Sequence, residues 1–167
     1  LVWRARLLDR EGAGPTRAIK TVKGARRGLE EALVREIALL QTLSRPDYFP
    51  VVHESFRAAG QLFMVMDWVD GRTLGSLVRS SMLEIDRARF LQIVEQIVDR
   101  LAYLHAWQPH PVVFRDLKPS NVMLDHDTDH LRLVDFGISH AVDPGRDRVG
   151  AYTPGWIAPE AAAGNVT

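Results

Sequence analysis

The chain has 167 residues, and its 21 basic and 21 acidic side chains give a formal net charge of zero. That balance offers no electrostatic case for nucleic acid or an anionic membrane as a partner. There is no cysteine, which excludes disulfides and thiolate metal sites, and no run approaches the length of apolar sequence that a membrane-spanning helix needs. Residues 1–8 alternate partly and predict a strand. Residues 9–16 carry Gly12, Gly14 and Pro15 and predict a hairpin turn, with 17–22 as the returning strand. Across 25–43 apolar residues stand at 29, 33, 37, 40 and 43, the stripe of an amphipathic helix that Pro46 bars from continuing. Residues 51–56 and 62–66 predict two more strands around a turn at 58–60, after which Asp70-Gly71-Arg72 breaks the pattern. A short helix is expected over 73–78. A long one follows over 87–106, capped by Asp86, striped by Phe90, Ile93, Val94, Ile97, Leu101 and Leu104, and ended by Pro109 and Pro111. Residues 122–124 and 131–134 predict a hairpin around 126–129.

The chemistry concentrates in residues 112–124, VVFRDLKPSNVML, and in Asp135-Phe136-Gly137 beyond them. A short β-branched run delivers Asp116 and Lys118, and Asn121 follows. Asp116 can accept the proton of an attacking hydroxyl, and Lys118 can neutralise charge on a transferred phosphoryl group. Asn121 and Asp135 are oxygen ligands of the kind Mg²⁺ prefers. Phosphoryl transfer asks mainly for positioning and charge stabilisation, and this set supplies both.

The order Arg-Asp-Leu-Lys-Pro-x-Asn, Asp-Phe-Gly, Ala-Pro-Glu (residues 115–121, 135–137 and 158–160) resembles the signature set of protein kinases. One such triplet is weak evidence, whereas three in this order and spacing are strong. Lys118, two residues after Asp116, looks like the serine/threonine branch, and FRDLKPSN with PGWIAPE resembles the bacterial, eukaryotic-like members. The resemblance implies an α+β fold with two lobes. Residues 1–69 would form an antiparallel-sheet lobe with one helix, and 70–167 part of a mainly helical lobe. It implies transfer of the γ-phosphoryl group of ATP, with Mg²⁺, to serine or threonine hydroxyls of a protein substrate, in the cytoplasm or in the cytoplasmic part of a larger membrane-anchored protein. Nucleic acid and membrane contact are not expected of these residues.

By the same resemblance Asp116 is the catalytic base, Lys118 the charge stabiliser, and Asn121 and Asp135 the metal ligands. Lys20, in Ala-Ile-Lys, would contact the α- and β-phosphates, and Glu36 would pair with it; Glu30 and Glu31 sit too near the start of the helix. Val2, Ala18 and Met123 would sandwich adenine, Met66 would be the gatekeeper, and the backbone of Asp67 and Val69 would bond the base. Each residue also has a plain reading. Lys20 alone is a surface lysine, Glu36 a solvated helix carboxylate, Asp135 a turn aspartate, and the apolar residues core.

Departures from the family pattern are few. Phe114 stands where a histidine is usual and is expected to keep an apolar stack with Phe136, extended by Leu40 and Val51. Arg115 would bind a phosphate on the loop 138–152, where Ser139 and Tyr152 are the only hydroxyls and Asp143 and Asp147 can stand in. Activity independent of loop phosphorylation is therefore expected. Thr153 matches a threonine that bonds the catalytic Asp and Lys, although Tyr152 replaces the commoner glycine before it, and Glu160 normally pairs with an arginine further on. His105 reads as structural, and the histidines have no ligand-like spacing. Both ends read as cut. The glycine-rich phosphate loop would precede Leu1 and the helix that supports the catalytic loop would follow Thr167, so the chain alone is expected to be marginal and inactive. Two other readings are a pseudokinase that holds nucleotide or a partner without turnover, and a small-molecule kinase of the aminoglycoside or choline type.

Overall fold

The computed structural model describes residues 1–8, 12, 14–22, 27–43, 45–80, 86–141, 153, 155–156 and 159. The chain divides into two compact units, Leu1–Asp70 and Gly71–Thr167. An antiparallel sheet with one helix in the first and helices with small sheets in the second make up the α+β class expected from the sequence.

In the first unit β1 (Val2–Arg6), β2 (Thr16–Thr21), β3 (Val52–Ala58) and β4 (Gln61–Asp67) form a four-stranded antiparallel sheet in the order β1-β2-β4-β3. The β3–β4 turn consists of Ala59 and Gly60, both with positive φ, which is what a two-residue hairpin loop requires. Helix α1 (Arg27–Thr42) packs on β3 and β4. Its stripe is buried at Leu33, Ile37 and Leu40, and Leu43 just past its end is buried too, but Leu29 in the first turn is exposed. Glu36 stands three residues after Leu33 and four before Leu40, hence on the buried face. It is 2% exposed, so its plain reading as a solvated carboxylate does not hold. The register Val2↔Lys20, Arg4↔Ala18, Lys20↔Met64 and Ala18↔Met66 places these residues on one face of the sheet.

In the second unit Thr73 caps α2 (Leu74–Arg79), its Oγ1 accepting from Ser76 N at 3.1 Å. Asp86 caps α3 (Arg87–His105), accepting from Arg89 N at 2.7 Å. A strand the sequence did not foretell, β5 (Gly71–Thr73), pairs with β7 (Val122–Asp125), which pairs in turn with β8 (Leu131–Leu133). Glycine is required at 71 because a Cβ there would lie 2.1 Å from Leu124 O. A second pairing not foreseen joins β6 (Val112–Val113) to β9 (His140–Ala141).

The stripe expected on α3 needs correction. Ile93 and Leu104 are buried, but Phe90 is 54% exposed and Val94 is exposed as well, while Arg100 is only 5% exposed. The cause is polar. Arg100 donates through Nε to Leu131 O at 3.0 Å and through Nη2 to Gln96 Oε1 at 3.1 Å, and that same oxygen accepts from Leu131 N at 2.9 Å. The helix thus meets β8 through Gln96 and Arg100, which share a face with the buried Ile93 and Leu104 at i, i+3, i+7 and i+11, and Phe90 and Val94 lie to one side of that face.

Candidate active site

The first unit holds an ion pair. Lys20 lies in β2 on the same sheet face as Val2, Ala18 and Met66. Its Nζ is 2.6 Å from Glu36 Oε1 and 2.7 Å from Oε2. With the carboxylate buried and the ammonium largely so, each charge depends on the other. Ala18 and Val69 are buried, Met66 is half-buried and Val2 is exposed at the edge strand. Asp67 ends β4, and its amide donates to Val51 O at 2.9 Å.

The second unit holds the Asp116 carboxylate. After β6 the chain enters a left-handed turn at Arg115, with φ of 60°, a conformation that L-residues adopt at a cost and that is found where a site must aim a side chain. Asp116 follows and is 7% exposed. Its Oδ2 accepts from Lys118 Nζ at 2.7 Å and from Asn121 Nδ2 at 2.8 Å, and its Oδ1 from Thr153 Oγ1 at 2.6 Å. Lys118 Nζ also donates to Thr153 Oγ1 at 2.8 Å, closing a ring of three side chains. Burial pushes the Asp116 carboxyl up, but the hydrogen bonds from Lys118, Thr153 and Asn121, together with the Lys118 charge, outweigh it and hold the group below the ordinary aspartate value.

Asn121 closes a 3-10 turn that begins at Pro119 and is buried. Its Nδ2 donates to Asp116 O at 3.0 Å as well as to the carboxylate, so the amide nitrogen faces Asp116 and the amide oxygen is the acceptor on its other side. The β7–β8 hairpin brings Asp135 back to this point, since Val134 N donates to Asn121 O at 2.9 Å. Asp135 itself is exposed and left-handed, with φ of 68°. The hairpin turn is pinned by Asp125, whose Oδ1 accepts from Asp127 N and Thr128 N, each at 3.1 Å. Burial pushes Asp125 up, and the bonds from Thr128 and Asp127 and the Arg132 charge bring it below its ordinary value.

Phe114 and Phe136 are both fully buried and meet edge to face, with ring centroids 4.9 Å apart. The Phe114–Phe136 contact expected of the apolar stack is therefore present. Ser139 is buried and donates to Phe114 O at 2.7 Å, a bond the sequence did not suggest. Met123 lies on β7, opposite Thr73 and Arg132. Asp143, Asp147, Tyr152 and Glu160 lie outside the described residues. Two further side-chain features escaped the sequence reading. One is the burial of Arg100; the other is the Asp67 side chain, which reaches His53 in β3 at 2.7 Å.

The sequence matches the protein kinase domain family over residues 7–167. It is similar to the serine/threonine protein kinase ypkA of Aspergillus fumigatus, at 32% identity over 93% of this chain and 24% of that protein. It is similar also to the serine/threonine-protein kinase PkaA of Streptomyces coelicolor, at 36% identity over 98% of this chain and 32% of that protein. A third relative, at 32% identity over 82% of this chain and 27% of that protein, is the SNF1-related protein kinase catalytic subunit alpha KIN12 of Arabidopsis thaliana. The chain thus spans about a quarter to a third of the length of these relatives.

Proposed function

The chain belongs to the protein kinase domain family, and from that premise we propose that it carries the machinery for moving the γ-phosphoryl group of ATP, with Mg²⁺, onto serine or threonine hydroxyls of a protein. The observation that carries the proposal is the ring around Asp116. A carboxylate offers about four acceptor positions. Lys118, Asn121 and Thr153 take three of those of Asp116. The remaining one is where an acceptor hydroxyl would donate. A carboxylate held this acidic orients the hydroxyl and takes its proton late, as the oxygen bonds to phosphorus.

Lys118, fixed between Asp116 and Thr153, places its ammonium where negative charge grows on the moving phosphoryl group. The tie of Lys118 to Thr153 supports serine or threonine as acceptor. Lys20, steered by both oxygens of Glu36, would hold the α- and β-phosphates, and the face carrying Val2, Ala18 and Met66 would take the base, with Met123. Asn121 through its amide oxygen and Asp135 through its carboxylate form a hard-oxygen donor set that suits Mg²⁺, whose charge when bound offsets that of the phosphates.

The test is transfer of label from ATP with Mg²⁺ by the full-length protein, followed by phosphoamino-acid analysis. Label on serine or threonine that disappears in Asp135→Asn is expected. Label on tyrosine would overturn the acceptor assignment. Nucleotide binding without transfer would replace this reading by that of a pseudokinase.

A further inference from the structure

Residue 67 was read from the sequence for its backbone alone, yet its side chain is the most connected group at the end of β4. Asp67 Oδ2 accepts from Val51 N at 3.2 Å, and Oδ1 lies 2.7 Å from His53 Nε2 and 3.7 Å from Arg17 Nη1. A carboxylate only accepts, so Nε2 carries the hydrogen in that bond. Three strands therefore converge on one carboxylate: β2 through Arg17, β3 through His53 with the amide just before it, and β4 through Asp67 itself.

His53 reaches Asp67 because β3 is irregular there. The register passes from Val52↔Met66 to Glu54↔Val65, so one residue of β3 is extra, and that residue is His53. A bulge re-aims a side chain and increases local twist, and bulges are over-represented beside functional sites. Here the bulged residue is the one that bonds the last residue of β4. The next residue is held from elsewhere: the Trp68 ring lies under the Arg4 guanidinium of β1, 5.4 Å from centroid to Cζ. Val69 is buried. Asp67, the last residue of the β4 ladder, and Trp68 just beyond it are thus each held to the first unit through a side chain.

We propose that His53 is a positioning residue for nucleotide: through the Asp67 carboxylate it holds the backbone of residues 67–69 in the conformation that bonds the adenine edge. This rests on the proposed reading of residues 66–69 as the adenine-binding segment. A backbone edge fixed before binding loses less entropy when the base docks, so the contribution of His53 falls on nucleotide affinity and not on the chemical step.

The test uses the full-length protein and reads two quantities, the Kd for ATP by direct titration and the split of KM against kcat in phosphoryl transfer. His53→Ala should raise the Kd and the KM for ATP by about threefold to tenfold, the range a single exposed hydrogen bond supports, with kcat changed less than twofold. His53→Gln, which restores an N–H donor at similar reach, should recover most of the loss. Asp67→Ala, which also loses the Val51 amide and Arg17, should cost at least as much as His53→Ala, and the double variant should be no worse than Asp67→Ala alone, because the His53 bond is already gone there. An unchanged Kd in His53→Ala, or a fall in kcat with KM constant, would overturn the proposal. So would additive losses in the double variant. If the wild-type protein binds ATP but transfers nothing, the catalytic reading fails while the Kd comparison still decides this one. If it binds no ATP, both fail.

Discussion

The Thr153 hydroxyl bridges the two charged groups of the site, donating to Asp116 Oδ1 at 2.6 Å and accepting from Lys118 Nζ at 2.8 Å. The bridge spans 37 residues of sequence and ties Thr153 to the turn that carries Asp116. Thr153→Val keeps the shape and removes both bonds. A hydrogen bond to a charged group is worth about 1.5–3 kcal/mol, so kcat is expected to fall roughly 10-fold to 100-fold. Thr153→Ser should retain most of the rate. Steady-state kinetics of the two variants side by side check this, and equal losses in both would argue for packing instead of the hydroxyl.

The depressed Asp116 carboxyl gives a prediction in pH. Its folded value lies below its unfolded one, so its contribution to stability is present above the unfolded aspartate value of about 4 and is lost as pH falls through the folded value. For the same reason Asp116 stays ionised throughout the range in which the enzyme is assayed, and an acid limb near neutrality would belong to another group. After burial, the largest influence on it is the Lys118 hydrogen bond. Lys118→Met should therefore raise the Asp116 value. A carboxyl-resolved NMR titration reads this directly; a value unchanged by the substitution would contradict it.

Lys20 and Glu36 predict a dissociation of stability from activity. Lys20→Met leaves a buried carboxylate without its cation, and breaking a buried pair costs about 3–5 kcal/mol, toward the lower figure here because Lys20 is partly exposed. The double variant Lys20→Met/Glu36→Leu removes the orphaned charge and should regain much of the melting temperature. It should remain without activity, because the ammonium proposed to hold the α- and β-phosphates is still missing. Thermal melts and transfer assays on the single and double variants separate the two effects.

Phe114 should behave as core and not as chemistry. It is fully buried, edge-on to Phe136. Phe114→Ala is expected to cost about 3–5 kcal/mol, and Phe114→Leu much less, with kcat tracking the fraction folded. Denaturant unfolding measures both. A folded Phe114→Leu protein with kcat down a hundredfold would give the ring a direct role.

How far the sequence carried this account depends on where each signal sits. Asp116, Lys118 and Asn121 lie within six residues, and the hairpin that returns Asp135 is short, so local pattern was enough to bring them together. The burial of Glu36 follows from spacing alone, since positions 33, 36, 37 and 40 share a helix face. Strand β5 is three residues long, too short for a period, and exists only through its pairing with β7. Arg100 looks like a solvent-facing arginine until its acceptor on β8, 31 residues away, is in place. The bulge at His53 is invisible in sequence because it is a mismatch of register between two strands, a property of the pair.

The central claim is that the Asp116 carboxylate receives the acceptor hydroxyl. Single-turnover transfer from ATP with Mg²⁺ by the full-length Asp116→Asn protein tests it most directly, with nucleotide Kd measured on the same sample. Asparagine keeps the size of the side chain and loses its capacity to take a proton. The account predicts a rate at least 100-fold below wild type with Kd for ATP within about twofold, in line with the contribution of a positioned base. A rate within threefold of wild type at unchanged Kd would contradict it and would place the acceptor hydroxyl elsewhere.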